Sequence, residues 1–245
     1  MSDIKQFIQQ LETINDGEVI DIMVPSLKKK AKFRAFSVKQ HKEIIKTVME
    51  GFDGSIKSPI TLNRIIKENC IDRTVDFKLY DRNYILIQLR KASIGKTVKI
   101  NDIEYALSDL PKFNFEYDEE PVIDYKNIVV DLEIPDLEKD TTITEKSMFE
   151  FAKLSTDEKK VKDSINILLT YEIIKFVKQI KIGEIVLNFD QLNLHEKKSI
   201  VDNLPLVLNN KIIDYISKYK EYEQSLLTFG DGTKLTIDAS FLTSE

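Results

Sequence analysis

The side chains that most often carry catalysis are scarce in this sequence of 245 residues, which contains two histidines, His41 and His195, and one cysteine, Cys70. General acid–base and nucleophilic chemistry usually recruits histidine or an activated cysteine. Each histidine falls near the start of a predicted helix, outside any recognisable catalytic motif. Cys70 lies close to two isoleucines, which is typical of a small packed hydrophobic residue. The sequence therefore indicates a protein that is not an enzyme.

A phosphate-binding motif is the next possibility. Gly95-Lys96-Thr97 resembles the end of a phosphate-binding loop. That loop requires a glycine five positions earlier, where this sequence has Arg90, and it follows a strand rather than the helix predicted here. We therefore reject a nucleotide site and expect no cofactor.

A group of acidic residues could hold a hard cation such as calcium or, alternatively, form an unrecognised catalytic site: Glu116, Asp118, Glu119, Glu120 and Asp124. The group lacks the ordered ligand spacing and the central glycine of a calcium-binding EF-hand loop. We expect a solvated loop, and we predict no metal site.

Charge is strongly segregated along the chain. The whole sequence has 36 lysines and arginines against 41 acidic residues, a net charge of −5. Residues 27–46 hold eight cations and one anion, whereas residues 102–140 hold thirteen anions and three cations. Opposed charged faces steer and orient protein–protein docking, including docking between copies of one chain, so we interpret the chain as an interaction protein.

The basic segment has the pattern of a β-strand. Lys30, Lys32 and Arg34 alternate with Ala31 and Phe33, which predicts one wet face and one dry face. The cations on the wet side form the predicted docking face: Lys28, Lys30, Lys32 and Arg34. The alternative is that strand 28–34 binds nucleic acid. Such a reader would combine the cations with exposed stacking aromatics, whereas Phe33 and Phe36 are better placed for packing.

The remaining elements follow from periodicity and caps. Residues 19–24 alternate as a partner strand, Ser37 and Gln40 form a capping box for a helix over 38–50, and Ser58-Pro59 predicts the start of a helix ending near Cys70. Further helices are predicted over residues 79–96, 145–154 and 157–182, the last with an apolar stripe facing a core. Asn193 predicts a cap for another helix, and a final helix ends near Glu223.

The segment 97–134 switches to strand-like alternation, with a turn at Asn101-Asp102 and strands including residues 112–117 and 127–134. Residues 225–237 resemble a closing hairpin that turns at Gly230-Asp231-Gly232. The predicted fold is α+β, with an N-terminal β-hairpin packed on a helical bundle, a β-rich insert and a C-terminal β-hairpin. We predict three domains, covering residues 1–96, 97–140 and 141–245.

The sequence has no pattern typical of a secretion signal or a membrane-spanning helix. The first ten residues lack a basic segment followed by an apolar stretch, and the apolar runs are too short to cross a bilayer. We expect no membrane span, and synthesis in the cytosol.

Two stretches, "KAKFRAFSVKQHKEII" and "DRNYILIQLRKASIGK", resemble the baseplate hub subunit or hub assembly protein family of T-even-type contractile-tailed bacteriophages. The resemblance spans roughly residues 20–225. The matching scaffold positions are Phe33, Phe36, Asp81, Leu89, Arg90, Ser93 and Gly95. Ala35 stands where that family commonly has proline, and the terminal hairpin lacks the paired cysteines that hold a zinc ribbon in many relatives, so no metal is carried over.

The resemblance implies a non-enzymatic part in building the central hub of the viral tail baseplate, as a virion component or as an assembly factor. The partners it implies are other hub, spike or tape-measure proteins, with self-association also possible. The place it implies is the host cytoplasm during assembly, or the tail baseplate of the virion.

Overall fold

Alternating and capped segments of the sequence fold as antiparallel sheets and helices in the computed structural model. The structure describes residues 19–50, 52–113, 117, 120–154 and 161–237, together with residues 4 and 241. Within this part of the chain, seven α-helices and eight antiparallel β-strands confirm the predicted α+β fold. None of the helices described is long and apolar enough to span a membrane.

Contacts divide the chain into two compact units. The first comprises residues 1–114 and 226–245, and the second comprises residues 115–225. The three-domain division at residues 96 and 140 stays a prediction.

The first unit begins with the expected hairpin. Strands β1 (Val19–Val24) and β2 (Lys29–Arg34) pair antiparallel, with Val19 opposite Arg34 and Val24 opposite Lys29. Helix α1 (Val38–Met49) follows the predicted capping box, in which Ser37 Oγ accepts from Gln40 N at 3.2 Å and Gln40 Oε1 accepts from Ser37 N at 3.1 Å. These donors would otherwise be left without partners at the helix start.

Helix α2 corrects one prediction. It runs over Phe52–Asn69, so Ser58-Pro59 lies inside the helix rather than at its start. Proline lacks an N–H and removes one helical hydrogen bond. Downstream, the buried side chains of Leu62, Ile65 and Ile66 anchor the helix, and this burial offsets the missing bond.

Helix α3 (Asp81–Ser93) and a second hairpin complete the regular part of this unit. Strands β3 (Thr97–Ile100) and β4 (Ile103–Ala106) pair through the predicted turn at Asn101-Asp102, where both residues have positive φ, 50° and 65°. Asparagine and aspartate tolerate this conformation better than most residues. The closing segment forms a tight turn with a single bridge between Thr228 and Lys234 rather than two full strands.

The second unit is a four-stranded sheet with helices. The sheet order is β5-β6-β7-β8. Its elements are β5 (Val122–Tyr125), β6 (Ile128–Leu132), α4 (Leu137–Leu154), α5 (Val161–Phe176), β7 (Val177–Ile182), β8 (Ile185–Asn188), a 3-10 turn (Phe189–Gln191), α6 (Leu194–Asp202) and α7 (Leu206–Ser225). The Asn193 capping box with Glu196 and the end of α7 near Glu223 agree with the sequence patterns.

Two helix predictions are corrected in this unit. The helix predicted over 157–182 ends at Phe176, and the chain continues as β7, which pairs with β6 and β8. Leu169, expected in its buried stripe, is 40% exposed, and the side chain of Ile165 lies outside the described part. Helix α4 begins at Leu137 rather than near residue 145. In the first unit, residues 112 and 113 of the predicted strand 112–117 are not in a strand, and residues 114–116 lie outside the described part.

Candidate functional site

The outer face of the β1–β2 hairpin carries the predicted cations. Lys30 and Lys32 are exposed, Arg34 is partly exposed, and Lys28 is exposed in the connecting turn, where its φ is 50°. The strand alternation thus turns the cations outward, as the sequence predicts. We call Lys28, Lys30, Lys32 and Arg34 the basic face.

Apolar side chains share this face, which the sequence reasoning missed. The register places Val19 opposite Arg34 and Met23 opposite Lys30, and both Val19 and Met23 are 49% exposed. Between them, Asp21 lies opposite Lys32, with a carboxylate–ammonium distance of 3.5 Å. An exposed pair of this kind contributes little to stability. The outer face of the hairpin is therefore cationic, and it also exposes two apolar side chains.

The inner face of the hairpin is dry. Ala31 and Phe33 are buried, and the ring of Phe33 lies 5.6 Å from that of Phe77 between centroids. The backbone of Phe33 also bridges to Cys70, and Ile71 N donates to Lys32 O at 2.9 Å. Because Phe33 is fully buried, it has no surface on which a nucleic-acid base could stack.

Asp81 fixes the hairpin turn to the start of α3. Its buried carboxylate accepts from Ser26 N at 2.9 Å, Ser26 Oγ at 2.5 Å and Lys78 N at 2.8 Å. These three hydrogen bonds satisfy the carboxylate oxygens of Asp81 in a buried place. The partnership with Ser26, which is 55 residues away, has no signal in the sequence.

Phe36 and Ser93 join the end of the basic strand to the end of α3. Phe36 N donates to Ser93 Oγ at 2.8 Å, and Ser93 Oγ donates to Leu89 O at 2.8 Å. Leu89 is buried, while Phe36 is only partly buried. These contacts give Phe36, Leu89 and Ser93 positions in the scaffold beneath the basic face.

Arg90 and Gly95 lie at the other side of the α3 terminus. Arg90 is 1% exposed, and its guanidinium donates to Gly95 O at 2.7 Å and to Phe241 O at 2.5 Å. Gly95 N in turn donates to Arg90 O at 3.1 Å, which ends the helix. The structure therefore brings the scaffold positions together around α3.

The residues considered for catalysis lie in three different segments of the chain. Cys70 is buried, its Sγ donates to Asp72 O at 3.1 Å, and burial raises the pKa of its thiol, which disfavours the reactive thiolate. His41 is partly buried in α1, and His195 is exposed in α6.

The acidic group is only partly described. Glu116, Asp118 and Glu119 lie outside the described part. Glu120 pairs with Lys178 at 3.0 Å, and Asp124 is exposed on β5. In the described ranges, no three histidine, cysteine or acidic side chains are grouped so that they could hold a metal ion.

A family model described as T4 bacteriophage base plate protein matches residues 18–225 of the chain. No curated protein and no solved structure gives a significant match. The matched range includes both stretches on which the sequence resemblance rests, and it contains the hairpin, α3 and the four-stranded sheet.

Proposed function

The chain belongs to the T4 bacteriophage base plate protein family, and from this membership we propose that it acts in the baseplate hub as a non-enzymatic structural or assembly protein. The family places it among the structural proteins of the phage tail. The proposed hub role is finer: the chain docks onto hub, spike or tape-measure proteins, either as a lasting component or as a chaperone-like factor in the host cytoplasm.

The observation that supports docking is the composition of the basic face. Cations that steer association stand beside Val19 and Met23, apolar side chains that gain from burial once contact is made. The hairpin that presents them is held from below by Phe33 and by the Ser26–Asp81 hydrogen bonds. A rigid surface loses little conformational freedom on binding, which favours affinity.

A partner surface that complements the basic face would be acidic and would carry apolar patches. Residues 102–140 of this chain carry thirteen anions, so a second copy is one source of such a surface. Other tail proteins are the other source. Long-range attraction between opposite charges raises the association rate and weakens as salt increases.

Charge reversal tests the proposal with a matched control. The triple variant Lys28→Glu, Lys30→Glu, Lys32→Glu should slow association with tail proteins of the same phage by about tenfold or more and flatten its salt dependence. The control reverses three exposed lysines of α1, Lys39, Lys42 and Lys46, with the same change in net charge. Association rates are measured by surface plasmon resonance at several ionic strengths.

The control should retain most of the wild-type rate and its salt dependence. Equal slowing by both triple variants would show a net-charge effect, and an unchanged rate in the first would exclude the basic face. Either result contradicts docking through this surface.

The same cations raise the nucleic-acid alternative, which a gel shift separates from docking. Phosphate binding through these lysines would give a complex whose affinity falls steeply with salt, because counterions are released. The burial of Phe33 removes the stacking platform that would strengthen it. We expect free DNA and RNA at low salt, and a stable complex would favour the alternative.

A further inference from the structure

Arg90 is a buried cation whose partners are neutral. Two of its five N–H donors bond to carbonyl oxygens, those of Phe241 and Gly95, which leaves three. The guanidinium carbon also lies 5.2 Å from the centre of the Phe241 ring. Among the residues that the structure describes, no carboxylate lies within 4.0 Å of Arg90, and no acceptor meets the remaining three donors.

A buried charge of this kind is costly without a counterion. Burial alone lowers the pKa of Arg90 because it penalises the charged form. Carbonyl dipoles offset part of that cost, but an opposite charge would offset more. The fold thus buries a guanidinium for which the described residues supply two carbonyl acceptors and no carboxylate.

Arg90 is one of the residues that line a cavity of about 610 Å³ in the first unit. Arg90 and Gly95 lie at its inner side, while Lys99, Asp102 and Glu104 are exposed at its rim. At the rim, Lys99 pairs with Asp102 at 3.3 Å and lies opposite Glu104 across the β3–β4 hairpin. Asp102 and Glu104 therefore balance Lys99, whereas none of the carboxylates that the structure describes pairs with Arg90.

We propose that this cavity receives the side-chain carboxylate of a partner protein, with Arg90 as its counterion. A guanidinium offers paired N–H donors in the plane that a carboxylate matches. A phosphate dianion suits the cavity less well, because Asp102 and Glu104 at the rim repel two negative charges more strongly than the single charge of a carboxylate. This inference rests on the proposed function, since a docking partner supplies the acidic residue.

A pair of peptides tests the site on the full-length chain. The probes are Ac-Gly-Glu-Gly-NH2 and Ac-Gly-Gln-Gly-NH2, which differ only in the charged group. The glutamate peptide should produce saturable NMR shifts of the Gly95, Thr97 and Val98 amides, with a dissociation constant on the order of millimolar. The glutamine peptide should leave them unchanged. Equal shifts from both peptides, or none from either, would overturn the proposal.

Three variants assign the binding to Arg90. Arg90→Met should abolish the shifts, and Arg90→Lys should weaken binding about fivefold or more, because an ammonium lacks the paired donors. Lys99→Met removes a rim cation instead and should change affinity less than about twofold, since its charge is already balanced. If Arg90→Met does not fold, the Lys variant and the Lys99 control decide the matter. Affinity lost with Lys99 but kept in Arg90→Lys would overturn the assignment.

Two further experiments distinguish a carboxylate of a partner protein from that of a small acid or of the chain itself. Acetate should bind more weakly than the glutamate peptide if the cavity accommodates a protein segment, and equal affinity would point to a small acid instead. Asp238→Asn and Glu245→Gln test carboxylates of the chain itself that lie outside the described part. Peptide binding that emerges only in one of these variants would mean that the chain fills its own site. These results are independent of the basic face, so the proposed function can stand if this site fails.

Discussion

A cluster of ion pairs in the second unit is centred on Lys175 and Glu172. Lys175 Nζ lies 2.8 Å from Asp140 and 3.0 Å from Glu172, and Lys220 reaches Glu172 at 2.7 Å. Burial disfavours charge on both Lys175 and Glu172. The opposite charges around them outweigh this effect, raising the pKa of Lys175 and lowering that of Glu172. Glu172 and Lys175 are thus held in their charged forms, and the ion pair of Lys175 with Asp140 joins α5 to α4.

This cluster predicts a stability plateau between about pH 5 and pH 10. A lowered pKa means that Glu172 stabilises the fold above its unfolded pKa, near 4.5, and that this contribution is lost as pH falls through its folded pKa. A raised pKa means that Lys175 stabilises the fold below its unfolded pKa, near 10.5, and that this contribution is lost as pH rises through its folded pKa.

Lys175→Met should lower the free energy of unfolding by about 3 kcal/mol at pH 7, because the buried carboxylate of Asp140 loses its ion pair with Lys175. The loss should shrink toward pH 4 as the carboxylates take up protons. Urea unfolding at several pH values measures it. Lys178→Met is the matched control, since Lys178 pairs with Glu120 on the surface and should change stability little. Equal losses in the two variants would contradict the argument.

At the scale of elements, strand β2 alternates between buried side chains and the exposed side chains of the proposed docking face. Phe33 points inward against Phe77, and Lys32 points outward beside Asp21. Phe33→Ala should cost about 3–5 kcal/mol of unfolding free energy, because it removes a buried ring and leaves a cavity. Lys32→Ala should stay within about 0.5 kcal/mol of the wild type. Chemical denaturation compares the two, and a large loss in Lys32→Ala would mean that its surface pair is structural.

Sequence patterns predicted the elements that local chemistry determines. The alternation of Lys30, Ala31 and Lys32 and the Ser37–Gln40 capping box involve residues at most three positions apart, so the sequence alone identifies the basic strand and the start of α1. The same reasoning did not reach Val19 and Met23, whose places on the basic face follow from the strand register. It also could not reach Ser26 and Asp81, which meet across 55 residues.

The end of α5 was predicted wrongly for a related reason. Ile173, Phe176 and Ile180 have helical spacing, so the pattern extends the helix through residue 180. The structure instead pairs Ile180 with Val130 and Leu187 in the sheet, where its side chain is buried just as a helix stripe would require. The burial of Ile180 is compatible with either a helix or a strand. The strand partners decide between them, and β6 lies more than forty residues earlier in the chain.

At the scale of the whole molecule, the charge segregation and the two units have different consequences. The basic segment 27–46 belongs to the first unit. The acidic segment 102–140 spans the division between residues 114 and 115, so each unit contains part of it. Docking through the basic face thus depends on the integrity of the first unit. It requires the second unit only if that unit supplies the acidic surface in another copy.

Because contacts cluster within each unit, damage to the core of one unit should reduce the hydrogen-exchange protection of that unit alone. Phe33→Ala opens the core of the first unit, and Ile180→Ala opens the sheet of the second, each at a residue that is at most 1% exposed. Hydrogen exchange followed by mass spectrometry should show faster exchange in β1, β2 and α3 for the first variant, and in β5–β8 for the second. Each variant is the control for the other. Uniform acceleration across the chain in both would mean that the units unfold as one cooperative body, because damage to either core would then open every amide by the same global route.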